Sequence, residues 1–314
     1  MKELVLGGDI GGTKSRFALA EVEGGVPRVL RSFEYANDEF ADFYMLLRRL
    51  FEDEGEGRRV ARICLGLAGP HENDTVQLTN RNWVINTAKV EAMFTQAKLE
   101  LANDFEAAAY GVELLSAVDM LTLQHGEPVP RAPQVVIGAG TGLGVAYRVW
   151  TGASYRVIPG EAGHAGFAPL DSAQLKIWQA IFAAEGRVSD EMLVSGTGIG
   201  RIFSILSGDN IAPPEVSRRA IEENDPIAKE ALEIFARCYG AVAGDHALAV
   251  LARGGVFIAG GVAPRIQEVL QASGLLDAFN AKGQHTPVAQ RMPVHVVLNE
   301  RLGLLGATLM AARG

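Results

Sequence analysis

Two glycine-rich loops constrain this chain more than any other feature. The first is Gly7-Gly8-Asp9-Ile10-Gly11-Gly12-Thr13-Lys14, and the second is Gly138-Ala139-Gly140-Thr141-Gly142-Leu143-Gly144. Each follows an apolar run, Leu4 to Leu6 or Val135 to Ile137, and each precedes another, Arg16 to Val22 or Val145 to Val149. Strand, glycine turn and strand make a β-hairpin whose tip can turn backbone N–H groups onto an anion. Two hairpins about 130 residues apart predict two related domains gripping one phosphate chain. That points to phosphoryl transfer, with plain glycine turns as the alternative for either loop alone.

Two commoner phosphate-binding patterns do not fit. A P-loop ends in Gly-Lys-Ser/Thr and opens a helix; here Thr13 precedes Lys14, and a strand-like run follows. A dinucleotide fingerprint needs a third glycine at its sixth position. Counting from Gly138 that position is Leu143, and counting from Gly140 it is Val145.

At 314 residues the chain is long enough for two domains. Its net charge of −8 and lack of a Lys/Arg run leave no electrostatic footprint for nucleic acid. The two cysteines, Cys64 and Cys238, sit in apolar patterns and are expected to be reduced and buried. The apolar run before Asp9 is too short for a signal peptide, and no stretch has the length of a membrane span. A cytoplasmic protein with no membrane partner is expected.

The apolar spacing predicts strands at 29–35, 60–67 and 98–102 and a helix over 38–53. A turn at Ala68-Gly69-Pro70 closes the second of these strands. An Ala-rich helix follows over 105–115, with Asp104 as its N-cap. In the second half a long helix is predicted over 226–252, strands at 256–259 and 294–298, and a last helix over 303–312. The recurrence of the hairpin suggests an ancient duplication. We place a small α/β domain at 1–112 and a larger one at 113–300, with the C-terminal segment 301–314 packing back on the first.

Asp104 ends a strand and begins a helix, the place where α/β enzymes present groups to a cleft. It could take the proton of a hydroxyl attacking ATP, or it could be an ordinary cap. The segment Pro159-Gly160-Glu161-Ala162-Gly163-His164 offers a carboxylate and an imidazole three residues apart. That pair suits the hydroxyls of a small sugar; a metal pair is the rival, weakened by the absence of further Cys or His at ligand spacing. Asp9 and Thr13 could hold a Mg²⁺ water and a phosphate oxygen. Glu191 alone would read as a helix-surface glutamate.

Taken together, these segments resemble the bacterial glucokinase family of the hexokinase, Hsp70 and actin-like ATPase superfamily. The matching residues are Gly8 to Thr13, Asn103-Asp104-Phe105, Gly138 to Gly144, Pro159 to His164, Ser195-Gly196-Thr197-Gly198 and Phe257 to Arg265. They occur in family order across nearly the whole chain. The resemblance implies a two-domain α/β, ribonuclease H-like fold with its active site in the interdomain cleft, and ATP-dependent phosphorylation of the glucose 6-hydroxyl. It implies Asp104 as general base, with Asn103, Glu161, His164 and Glu191 on the sugar. Gly8, Asp9, Ile10, Gly11, Gly12 and Thr13 would lie on the phosphates together with Gly138, Gly140, Thr141 and Gly142; Gly260 and Gly261 would lie against the adenosine. MgATP, glucose and a homodimer are the implied partners.

The chain also departs from its relatives. No cysteine cluster occupies 166–185, so no structural zinc is expected, and with no DNA-binding extension ahead of Leu4 a repressor is not expected. Lys14 stands where relatives often carry Asn; Ala162 and Thr197 stand where Gly and Pro are frequent. A kinase of another sugar, or an ATP-reading switch module, are the competing functions.

Overall fold

A computed structural model describes residues 3–54, 60–69, 71–72, 75–78, 81–94, 97–158 and 160–314. Pro70 of the predicted turn and Pro159 of the predicted sugar loop lie outside these. The chain divides into two units, Met1–Leu115 with Arg301–Gly314, and Ser116–Glu300.

In the first unit β1 (Glu3–Ile10), β2 (Lys14–Glu23) and β3 (Val26–Ala36) form an antiparallel meander. β4 (Arg62–Leu67) then joins β1 in parallel. The small strands β5 (His71–Glu72), β6 (Thr75–Gln77) and β7 (Val84–Asn86) make a separate sheet. β8 (Lys98–Asn103) completes the main sheet beside β4, in the order β3-β2-β1-β4-β8. The helix α1 (Phe43–Glu54) buries Phe43, Leu46, Leu47 and Leu50 against Leu6, Phe17, Ile63 and Leu65. It begins later than its apolar spacing suggests, because residues 37–39 form a 3₁₀ turn and Phe40 is extended.

The helices α2 (Thr87–Glu91) and α3 (Asp104–Gly111) are capped by asparagines, Asn86 and Asn103. The cap of α3 is thus Asn103 and not Asp104. The Asn103 side chain accepts from the Phe105 and Glu106 amides at 2.9 and 3.1 Å, which makes Asp104 the first helical residue. The C-terminal helix, Leu302–Arg313, packs on α3 through glycine contacts. A Cβ on Gly306 would overlap the Ala107 carbonyl, and one on Gly111 the Leu302 carbonyl.

The second unit has the same chain order. β9 (Met120–Gln124) precedes a meander of β10 (Gln134–Ala139), β11 (Leu143–Trp150) and β12 (Tyr155–Ile158). β13 (Gly255–Ala259) and β14 (Val294–Val297) extend it in parallel, giving β12-β11-β10-β13-β14-β9. β9 is an addition that the sequence did not announce; it pairs antiparallel with β14 across a register shift. The helices α4 (Ser172–Glu185), α5 (Gly196–Ser207), α6 (Pro213–Glu222) and α7 (Pro226–Val250) belong to this unit. α7 starts on an Asp225 cap with Pro at its first position and stops where Leu251 turns left-handed. Leu232, Phe235, Tyr239 and Val242 of α7 enter a core with Val135, Ile137 and Ile258 of the sheet. Within it Tyr239 Oη donates to the Ile137 carbonyl and accepts from the Ala139 amide, both at 3.1 Å.

Candidate active site

Parallel strands in open α/β sheets present ligands at their carboxyl ends. In the first unit that edge carries Asp9, Gly66 and Asn103: Asp9 pairs with Gly66, and Leu67 with Asn103. Gly66 lets α3 come close, since a Cβ there would stand 3.2 Å from the Ala107 Cβ and 3.7 Å from the Asp104 Cα. Asp9 and Asp104 interact electrostatically. Burial pushes the Asp9 carboxyl up to about 6; Arg16 opposes the rise and Asp104 adds to it. Asp104 Oδ1 accepts from the Phe105 amide at 2.8 Å.

The first hairpin has a narrower tip than its glycines suggest. Gly8 and Ile10 lie inside β1; Ile10 is fully buried, and a Cβ on Gly8 would meet Leu65 and Phe17. The turn itself is Gly11, Gly12 and Thr13. The wholly buried Asn37 braces it, donating to the Gly11 and Gly12 carbonyls at 2.8 and 3.3 Å and accepting from Ser15 Oγ at 2.7 Å. The Asn37 amide donates to the Thr13 carbonyl at 2.8 Å. With the carbonyls held, the Gly12 and Thr13 amides make no hydrogen bond among the described residues. Such amides are ready donors for an anion. Sequence reasoning missed Asn37; a lone Asn after a strand carries no readable signal. Lys14 is drawn away along the sheet, where Nζ donates to Glu34.

In the second unit the turn is Gly140, Thr141 and Gly142, and Gly138 is a strand residue paired with Gly144. The Thr141 and Gly142 amides likewise make no hydrogen bond among the described residues. Ser195 to Gly198 lie against this turn. The Gly196 amide donates to the Gly140 carbonyl at 2.7 Å, and Thr197 Oγ1 donates to the Thr141 carbonyl at 3.3 Å. Gly260 has φ +85°, and a Cβ there would overlap the Ala139 carbonyl; Gly261 has open space where a Cβ would stand. The three glycine segments therefore form one cradle with little side-chain bulk.

Glu161, His164 and Glu191 gather beside that cradle. Glu161 Oε2 lies 3.9 Å from His164 Nε2, and both side chains are exposed, at 87% and 61%. Gly163 packs its α-carbon against the Leu143 carbonyl. The Asp190 amide donates to the Ala165 carbonyl at 3.0 Å, tying the two loops together. Glu191 is in a 3₁₀ turn over 190–192, not on a helix surface, and its Oε2 accepts from the Leu143 amide at 2.9 Å. Asn103, Asp104, Asp9 and the first hairpin are thus brought together in one unit, and Glu161, His164, Glu191, the second hairpin and Gly260-Gly261 in the other.

The sequence profile described as Glucokinase matches residues 6–314. The chain belongs to the glucokinase family. It is an enzyme of that family, with the mixed α/β, actin-like ATPase fold. The glucokinase of Nostoc sp. strain PCC 7120 is 34% identical over 99% of both chains. That of Cronobacter sakazakii is 32% identical over 98% of this chain and 96% of its own. The crystal structure of a glucokinase from an Antarctic psychrotroph superposes with a TM-score of 0.91 over the whole of both chains, at 28% identity. A ROK family glucokinase from Streptomyces griseus, solved with glucose and AMPPNP, shares the fold with a TM-score of 0.61 and 22% identity, over 99% of this chain and 100% of its own. No helix among the described residues is long and apolar enough to cross a membrane.

Proposed function

We propose that this chain transfers the γ-phosphoryl group of ATP to the 6-hydroxyl of glucose, the reaction of its family, with Asp104 as general base. The observation that carries the assignment is Asp104 at the carboxyl end of β8, electrostatically coupled to Asp9 beside the Gly12 and Thr13 amides. The sugar O6 lone pair attacks the γ-phosphorus, the bond to the ADP oxygen breaks, and the O6 proton passes to the Asp104 carboxylate. The Gly12, Thr13, Thr141 and Gly142 amides bind phosphate oxygens, and Gly260-Gly261 offers a flat seat for the adenosine.

On the sugar, Glu161, Glu191 and His164 hold hydroxyls. Asn103 contributes its Nδ2, which has no hydrogen-bond partner among the described residues. Mg²⁺ fits this site because Asp9 is a partly buried carboxylate repelled by a second one, a hard oxygen donor whose charge a divalent cation would satisfy. When bound, the ion neutralises charge on the transferring phosphates. The proposal extends to a cytoplasmic homodimer without nucleic-acid or membrane partners, supported by the net charge of −8 and the family resemblance.

The test is ADP release from MgATP with glucose, mannose, fructose, glucosamine, N-acetylmannosamine or no sugar. Turnover with glucose is expected. Turnover with a different sugar alone would change the acceptor, and slow sugar-independent hydrolysis would point to a nucleotide switch instead.

A further inference from the structure

The peptide of Leu143, at the neck of the second hairpin, is held from both sides by the loops that carry the proposed sugar ligands. Its N–H donates to Glu191 Oε2 at 2.9 Å, and its carbonyl is covered by Gly163. Gly142 has no room for a side chain, because a Cβ there would fall on the same Glu191 oxygen. The backbone of Glu191 is fixed in turn, its carbonyl accepting from Ser195 Oγ at 2.7 Å. Ser195 Oγ also lies 2.9 Å from Thr197 Oγ1, which donates to the hairpin at Thr141.

Glu191 Oε1 has no hydrogen-bond partner among the described residues. One carboxylate can therefore accept from a hairpin amide with one oxygen and from a sugar hydroxyl with the other. The charge has a cost: a carboxylate touching a phosphate-binding turn repels the donor's phosphates. A hydroxyl donating to it spreads that charge and fixes the side chain.

We propose that Glu191 is a positioning residue for the hairpin at 140–142, linking occupancy of the sugar site to placement of the phosphoryl donor. This rests on the proposed function for what occupies the two sites. The signature is cross-talk: substitution on the sugar side alters donor affinity, and substitution in the hairpin alters sugar affinity.

The experiment compares full-length wild type with E191A, E191Q and G142A by steady-state kinetics, and by calorimetric titration with MgADP. E191A is expected to raise both the glucose KM and the ATP KM by about tenfold, since the sugar hydroxyl and the Leu143 amide that fixes the hairpin each lose a hydrogen bond to a charged group. E191Q keeps an acceptor for the Leu143 amide. It should raise the glucose KM while leaving the ATP KM within about twofold. G142A, which displaces the carboxylate, should raise the glucose KM about fivefold or more. An E191A protein with unchanged ATP KM and MgADP affinity, or a G142A protein with unchanged glucose KM, overturns the proposal. Should wild type fail to phosphorylate glucose, the functional reading falls, and MgADP affinity in E191A still decides the hairpin link. E191Q, nearly isosteric, supplies the comparison if E191A does not fold.

Discussion

Asp9 lies against Gly303 of the C-terminal helix, where a Cβ would stand 3.1 Å from the Asp9 Cγ. The last helix therefore bounds the pocket of the proposed metal-linked carboxylate. Gly303→Ala should push that carboxylate aside and lower kcat/KM for MgATP by about tenfold, because small misplacements at a reacting site are costly. Its unfolding midpoint should stay near that of wild type. An unchanged kcat/KM would show that Asp9 has room to spare.

Gly306 governs stability instead. Its α-carbon meets the Ala107 carbonyl with no space for a methyl group, and both atoms belong to helix backbone. Gly306→Ala should cost about 1–3 kcal/mol, the usual range for overpacking. Urea denaturation reads this directly, and a variant as stable as wild type would mean that the helices separate without loss.

Asp190 makes folding pH-dependent. It is 6% exposed, and burial, with a smaller push from Asp245, raises its carboxyl to about 7. His246 Nε2 is its neighbour at 3.8 Å, and burial lowers that imidazole toward its neutral form. The His246 ring is in turn 2.9 Å from Tyr147 Oη. The folded chain keeps the Asp190 proton up to about pH 7, whereas an unfolded Asp releases it near 4. The contribution is fully present below about pH 4 and is lost as pH rises through about 7, with a slope of at most about 1.4 kcal/mol per pH unit. Asp190→Asn should flatten that part of the curve. Denaturation at several pH values checks it, and parallel wild-type and variant curves would refute it.

Asp9 should leave its mark on the kinetics. Its carboxyl is raised to about 6, so the free enzyme takes up a proton there below that pH. The acid limb of kcat/KM for MgATP, which reports free-enzyme groups, should bend near pH 6. A limb that bends only near 4 would show an Asp9 with an ordinary carboxyl.

The duplicated hairpins were legible because glycine, Asp and Thr between apolar runs leave few alternatives. The strands at 62–67, 98–103 and 255–259 and the helix at 226–250 followed from apolar runs, a proline start and length. What stayed hidden depends on distant contacts. β9 is only five residues long and half-buried throughout, too short for the alternation of Leu121-Thr122-Leu123-Gln124 to mark a strand by itself. The cap at Asn103 and the seat of Glu191 needed the fold, since Leu143 is 48 residues from the side chain it binds. Asn37 reaches Gly11 across 26 residues. Gly8 and Gly138 look like loop residues in the sequence because packing glycines and turn glycines are written with the same letter.

In the proposed reaction Asp104 removes the proton from the sugar hydroxyl. The most direct test is single-turnover phosphorylation of glucose by wild type, Asp104→Asn and Asp104→Ala, with glucose and ATP affinities measured on the same samples. A rate loss of about 10³-fold or more is expected in both variants, with ATP affinity within about threefold of wild type and glucose binding still measurable. A variant that keeps more than about a tenth of the wild-type rate would contradict it and move the base to another group.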